Sequence, residues 1–245
     1  MALGNHWDHY IRCLIDVSHQ DLQKNKGKKM TRYFVLLLIL ITLSHCSRVN
    51  TIKELPILGR SEIKEKVVNG ETIYDTLYHT IDDFSFIDQD SNVVTNETFD
   101  GQVYIADFFF TTCPTICPVM KQQMLRVYEK YKDNPEVSIL SHTIDPVHDS
   151  VAVLKDFATK LGVKTDKWHF VTGNKDDIYD IGETSYMVVA NEDSNAPGGY
   201  IHSGAFLLID KKRRIRGVYD GTEPDQVEIL INDIGRLIKT NEKNN

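Results

Sequence analysis

Cysteine is scarce in this 245-residue chain, which has only four, at positions 13, 46, 113 and 117. That excludes a small fold stapled by disulfides, which needs several spaced pairs. Positive charge is short as well: 28 Lys and Arg face 35 Asp and Glu, for a formal net charge of −7. Phosphate binding needs a basic surface to release counterions, so this balance argues against nucleic acid as a partner. Long hydrophobic runs are missing, the most extended being residues 33–43 (YFVLLLILITL), eleven long, against the ~20 that a membrane-crossing helix needs. No internal repeat or low-complexity tract is present. What remains is an ordinary globular composition, 41% hydrophobic and 26% charged, with length for one well-packed core rather than two.

The charge is unevenly placed. Residues 1–46 hold six Lys/Arg (Arg12, Lys24, Lys26, Lys28, Lys29, Arg32) against Asp8, Asp16 and Asp21, so the remaining chain carries −10. Lys28, Lys29 and Arg32 supply a positive leader to the eleven-residue apolar run, which fits the core of a secretory signal, ~7–15 residues. The run ends in Leu43-Ser44-His45-Cys46, similar to a bacterial lipobox, in which the cysteine becomes the acylated first residue. The expectation is a signal over 30–46, lipidation at Cys46, and an extracytoplasmic, membrane-anchored body; an uncleaved signal anchor is the alternative. Residues 1–29 read as a dispensable extension, with Met30 as the true start. Residues 47–67 are polar and without a sustained apolar period, as a tether should be, which places the folded domain at 68–245.

Within the body, residues 84–87 and 93–95 flank a polar turn and predict a β-hairpin. Residues 103–110 (VYIADFFF) form a near-continuous run of strand formers, expected to be buried on both faces. A helix is predicted from Pro118 to about Lys132 on the spacing of Val119, Met120, Met124, Val127, Tyr128 and Tyr131. Residues 137–144 predict a strand, and Asp149 an N-cap for a helix through Leu161 that ends at Gly162. A strand at 168–172 and a short helix opened by Asn174 or Asp176 follow. Strands are then expected at 187–190, 205–210 and 215–219, the last two joined by the Lys211-Lys212-Arg213-Arg214 turn. Val227, Leu230, Ile231, Ile234, Leu237 and Ile238 mark the apolar face of a closing helix over 223–240. Strands alternating with helices make this an α/β chain, compatible with a thioredoxin-like sheet.

Thr111-Thr112-Cys113-Pro114-Thr115-Ile116-Cys117-Pro118 lies between the apolar strand and a helix, where α/β folds expose chemistry at strand C-termini. With the helix starting at Pro118, Cys117 falls at the N-cap, where the helix dipole would lower its thiol pKa. Two thiolates alone do not fill a zinc site. Soft sulfur suits copper(I), and an added imidazole gives a set that also holds copper(II). Of nine histidines, His6, His9, His19 and His45 lie in or before the signal, and His79 precedes the hairpin. His142, His148 and His169 read as packed or solvated. His202 follows a Gly/Pro/Asn-rich loop and directly precedes a strand, so the loop can carry it over the cysteine strand end.

Three stretches together resemble the Sco/SenC family: residues 107–118 (DFFFTTCPTICP), 143–150 (TIDPVHDS) and 202–210 (HSGAFLLID). The resemblance spans about residues 84–237. It implies a thioredoxin-like fold, with a central mixed β-sheet flanked by helices and an N-terminal β-hairpin extension. It also implies one copper ion, Cu(I) or Cu(II), per chain on Cys113, Cys117 and His202, with Asp145 nearby. The partners it implies are the copper-bearing subunit of cytochrome c oxidase or another copper acceptor, and a thiol reductant. Tyr200-Ile201 departs from the pattern, since many members have an Asp adjacent to the histidine.

Other readings of the pair stay open. A plain disulfide across so short a loop removes little unfolded-state entropy. A membrane-tethered thiol-disulfide oxidoreductase needs only Cys113 and Cys117, one attacking and the other resolving; His202 is what a copper site adds. A peroxidase of the peroxiredoxin kind is disfavoured, because Thr111-Thr112-Cys113 lacks the preceding proline. Asp145 also reads as a turn residue before Pro146, and residues 211–214 as either a solvated turn or a cationic docking patch.

Overall fold

The computed structural model describes residues 54–69, 71–194 and 196–243. The extension 1–29, the signal 30–46 with Cys46, and the first part of the tether lie outside them. Among the described residues no helix is long and apolar enough to cross a membrane.

Among the described residues eleven strands and four α-helices follow in chain order. β1 (Ser61–Val68) and β2 (Glu71–Tyr78) pair as an antiparallel hairpin. β3 (Ser85–Asp88) and β4 (Val93–Thr95) make the hairpin expected from sequence. β5 (Val103–Phe109), α1 (Cys117–Tyr131), β6 (Val137–Thr143), α2 (Val151–Leu161) and β7 (Trp168–Thr172) come next. After them come α3 (Lys175–Asp180), a π-helical turn (Ile181–Ser185), β8 (Ala190–Glu192), β9 (Tyr200–His202), β10 (Ala205–Ile209), β11 (Ile215–Asp220) and α4 (Pro224–Lys243). Seven strands form one mixed sheet in the order β11-β10-β5-β6-β7-β3-β4. β5, β6 and β7 run parallel at its centre and the outer strands are antiparallel. This is the α/β, thioredoxin-like architecture expected, with helices on a central mixed sheet.

Physical chemistry accounts for the order. β5 and β6 bury every residue; β5 accordingly runs nearly all apolar, whereas β6 buries Ser138, Ser141, His142 and Thr143 among its apolar residues. Met120, Met124, Val127 and Tyr128 of α1 are buried at helical spacing, as are Val227, Leu230, Ile234, Leu237 and Ile238 of α4. Gly162 closes α2 in the left-handed region at φ 71°, where a glycine carries no Cβ penalty.

Four local expectations are corrected. The tether extends into the fold: Leu58 N–H donates to Ile215 O at 2.8 Å, and Arg216 Nε donates to Pro56 O at 2.9 Å. Leu55 and Leu58 pack on the core, while residues 61–67 are strand. β1 (SEIKEKVV) mixes charged and apolar residues without regular alternation and leaves all of them exposed, so no core-facing pattern marks it. The strand expected at 187–190 begins only at Ala190, because Met187 takes a left-handed conformation, φ 57°, just after the π turn. The N-cap of α2 is Ser150, not Asp149. α1 begins at Cys117, with Ile116 as a cap already in helical conformation at φ −82°, ψ −29°. In the basic turn, Lys211 pairs with Glu136, Arg213 with Asp83 and Arg214 with Asp210. Three of its four cations thus have carboxylate partners within the domain.

Candidate metal centre

Topology brings the cysteines and His202 together. The cysteine loop leaves the C-terminal end of β5. β10 runs antiparallel to β5 with Leu207 opposite Ala106, so the residues preceding Ala205 lie at that same end. β9 delivers His202 there, and its pairing with β8 fixes the approach: Ala190 lies opposite His202, and Ser203 N–H donates to Val189 O at 2.9 Å. The intervening loop closes over Phe110, whose ring lies 5.0 Å from Tyr200 and 5.7 Å from His202. Gly198, at φ +83°, is required in that loop, since a Cβ there would meet Phe110 and Pro114 at 3.0 Å.

His202 Nε2 lies 3.6 Å from Cys113 Sγ and 3.4 Å from Cys117 Sγ. The three ligand atoms lie within 4.8 Å of one another, the one such grouping of three His, Cys, Asp or Glu among the described residues. Both thiols are free and buried. Two soft sulfurs and one borderline nitrogen, converging without a fourth protein ligand, match copper better than structural zinc.

The thiols are unlike each other, and the order is the reverse of that expected from the helix dipole. Burial raises the Cys113 thiol, but the His202 imidazole and the backbone N–H groups of Thr115 and Cys117 outweigh it and bring the pKa down to about 6. Burial pushes the Cys117 thiol well above its ordinary range, and the neighbouring Cys113 thiolate adds to this. A helix terminus stabilises a thiolate only where desolvation does not cost more, and Cys117 is 1% exposed.

Asp145 serves its turn. Its N–H donates to Thr143 Oγ1 at 3.1 Å, and its Oδ1 accepts from His148 N–H at 3.3 Å. Two other acids were missed by sequence reasoning. Asp149, read as a cap, is fully buried and accepts from Thr111, Thr143 and His148. Asp107 lies inside β5, accepts from Ser141 Oγ, and lines a small cavity with Cys117 and Lys121. An acid within an apolar strand was the available signal. Burial pushes its carboxyl up to about 6, against the Ser141 hydrogen bond.

Of the histidines set aside as packed or solvated, His169 pairs with buried Asp88 at 3.1 Å. His142 is fully buried and stacked on Phe108 at 4.8 Å. Burial pushes its pKa down to about 3. As pH falls below the ordinary 6.5, the unfolded chain takes up a proton that folded His142 refuses. Stability therefore drops by about 1.4 kcal/mol per unit until the folded pKa is reached. Asp107 has the opposite sign: the folded state takes its proton first, so stability rises as pH falls from about 6 towards 3.8. The two offset each other between pH 6 and 4. His142→Phe should remove one side of that balance, so its stability relative to wild type should grow by about 3 kcal/mol between pH 6.5 and 4. Urea unfolding at both pH values checks this, and an unchanged difference refutes it.

The SCO1/SenC family model matches residues 74–239. The SCO1 protein homolog of Bacillus subtilis is 32% identical over 167 residues, covering 67% of this chain and 86% of that one. The solved SCO1/SenC family lipoprotein of Bacillus anthracis superposes with a TM-score of 0.61 at 30% identity, covering 65% of this chain and 95% of that one. BsSco, described as a member of the Sco family of cytochrome c oxidase assembly proteins and as having a disulfide switch, gives 0.57 at 30%, covering 64% and 92%. With both cysteines, the histidine and the sheet that gathers them all inside the matched region, the chain belongs to the SCO1/SenC family.

Proposed function

We propose that this protein is a copper chaperone that holds one copper ion on Cys113, Cys117 and His202 and passes it to the copper-bearing subunit of cytochrome c oxidase or a comparable acceptor. The observation that carries the reading is the convergence of two thiols and an imidazole within 4.8 Å at a strand C-terminus. Soft cargo on such a site leaves by exchange, one acceptor thiolate replacing one chaperone thiolate at a time. The description of BsSco as belonging to a family of oxidase assembly proteins supports the choice of acceptor.

The same reading makes the protein extracytoplasmic, with residues 30–46 as signal, Cys46 as lipid attachment and the following stretch as a tether to the domain. The mass of the mature N-terminal peptide checks it. An unmodified Cys46, or a retained 1–29, refutes it.

A second reading is favoured by the unequal thiols. A low-pKa Cys113 beside a buried, protonated Cys117 is the division of labour of a thiol-disulfide oxidoreductase, attacker and resolver. One experiment separates the two. Copper(I)-loaded protein is mixed with a copper-free, reduced oxidase copper domain, and reduced metal-free protein with the oxidised domain. Copper appearing on the acceptor in the first mixture supports the chaperone; no transfer, with acceptor disulfide reduced in the second, overturns it in favour of the reductase.

A further inference from the structure

Asp149 is 0% exposed, and a buried carboxylate is tolerated only where donors replace its water. Its donors come from three segments. Thr111 N–H donates to Oδ2 at 3.0 Å and Thr111 Oγ1 to Oδ1. Thr143 Oγ1, at the end of β6, donates to Oδ2 at 2.5 Å, and the half-exposed His148 ring lies with Nδ1 3.0 Å from Oδ1. Thr111 is thus held twice, by backbone and by hydroxyl, from outside its own segment. It opens the cysteine loop, and one residue separates it from Cys113, whose N–H donates to Phe110 O at 3.2 Å. Both cysteines belong to the core, but Cys117 is held differently, as the first residue of α1.

We propose that Asp149 is a positioning residue for Cys113. It anchors the start of the cysteine loop so that Cys113 Sγ stays within reach of His202 and Cys117, while the helix alone places Cys117. The site then has two separate supports. Losing the Asp149 anchor displaces one sulfur and leaves the other where it is.

The copper arm of the test rests on the copper reading, and the thiol arm does not. Asp149→Asn presents an amide to donors that need an acceptor, and Thr111→Val removes the hydroxyl with little change of shape. Leu230→Ala, in the core face of α4, supplies a loss of stability unconnected with the loop. In metal-free reduced protein at about pH 9.5, above the ordinary thiol range so that ionisation does not depend on the His202 imidazole, Cys113 alkylation by iodoacetamide, read by peptide mass spectrometry, should accelerate about tenfold in Asp149→Asn and Thr111→Val, because the displaced sulfur leaves its buried place. The Cys117 rate should be unchanged. Copper(II) affinity should fall about 10- to 100-fold in both, the range for groups that orient metal ligands, with a shifted thiolate-to-copper absorption. Leu230→Ala should lower the melting temperature and move neither readout. The proposal is overturned if Asp149→Asn and Thr111→Val keep wild-type alkylation rates, or if Leu230→Ala accelerates Cys113 equally. A wild-type protein that binds no copper would refute the copper reading and leave the alkylation comparison to decide on Asp149.

Discussion

Replacing either Cys113 or Cys117 by serine should abolish tight copper(I) binding, with affinity falling by about a thousandfold or more, roughly 4 kcal/mol. Copper(I) prefers two soft sulfur donors in near-linear geometry. The described residues gather no other grouping of three metal-ligating side chains to replace a lost thiolate. A serine hydroxyl is a hard donor that stays protonated at neutral pH, so it substitutes for neither the charge nor the softness. The two variants should differ in one respect. Cys117→Ser places a hydroxyl in the wall of the small cavity that Cys117 lines with Met120 and Met124 and leaves Cys113 as a reactive thiol. Cys113→Ser removes the thiol whose pKa lies near 6 and leaves a buried, protonated one. Competition with a colorimetric copper(I) chelator measures the affinities and iodoacetamide the reactivity. Wild-type copper affinity in both variants would remove the site.

His202→Ala should weaken copper(II) by about a hundredfold or more and copper(I) by less than about tenfold, since imidazole stabilises the harder, higher-coordinate ion while two sulfurs satisfy the other. The thiolate-to-copper(II) absorption should disappear or shift. The dithiol itself should also change. The His202 imidazole is the largest of the groups that outweigh burial at Cys113, so without it the Cys113 thiol rises. Its alkylation should then slow at pH 7, with the inflection near pH 6 moving upward. Equilibrium titration with each copper ion and a pH-rate profile for alkylation test both halves. Intact copper(II) binding would take His202 out of the site and favour the oxidoreductase reading.

Much of the fold was legible because its signals are local. Residues 103–110 read as a buried strand because parallel central strands have no exposed face to make polar, and α4 declared itself through apolar positions repeating at helical spacing. β1 was illegible for the same reason in reverse: it covers no core, so nothing in its pattern separates it from a tether. Residues 187–190 misled because a run of Met, Val, Val and Ala is a strand pattern only when the backbone enters it extended. The π turn before Met187 prevents that.

The sequence by itself marked the candidate side chains, a cysteine pair between a buried strand and a helix and a histidine entering a strand from a glycine-rich loop. Their meeting was decided by tertiary structure, which lays β10 antiparallel beside β5 and pairs β9 with β8. Tertiary structure decided the electrostatic character of those groups. Spacing put Cys117 at a helix start and suggested the more acidic thiol there. The fold buried it, and turned the His202 imidazole and the Thr115 and Cys117 N–H groups towards Cys113 instead. Tertiary structure also recruited Asp149, a residue that local pattern assigned to a helix cap and that lies 36 positions after Cys113 in the chain. The physical reason is common to both cases. Hydrophobic periodicity is written residue by residue, whereas desolvation and hydrogen-bond satisfaction depend on every segment packed around a group and exist only once the chain has closed on itself.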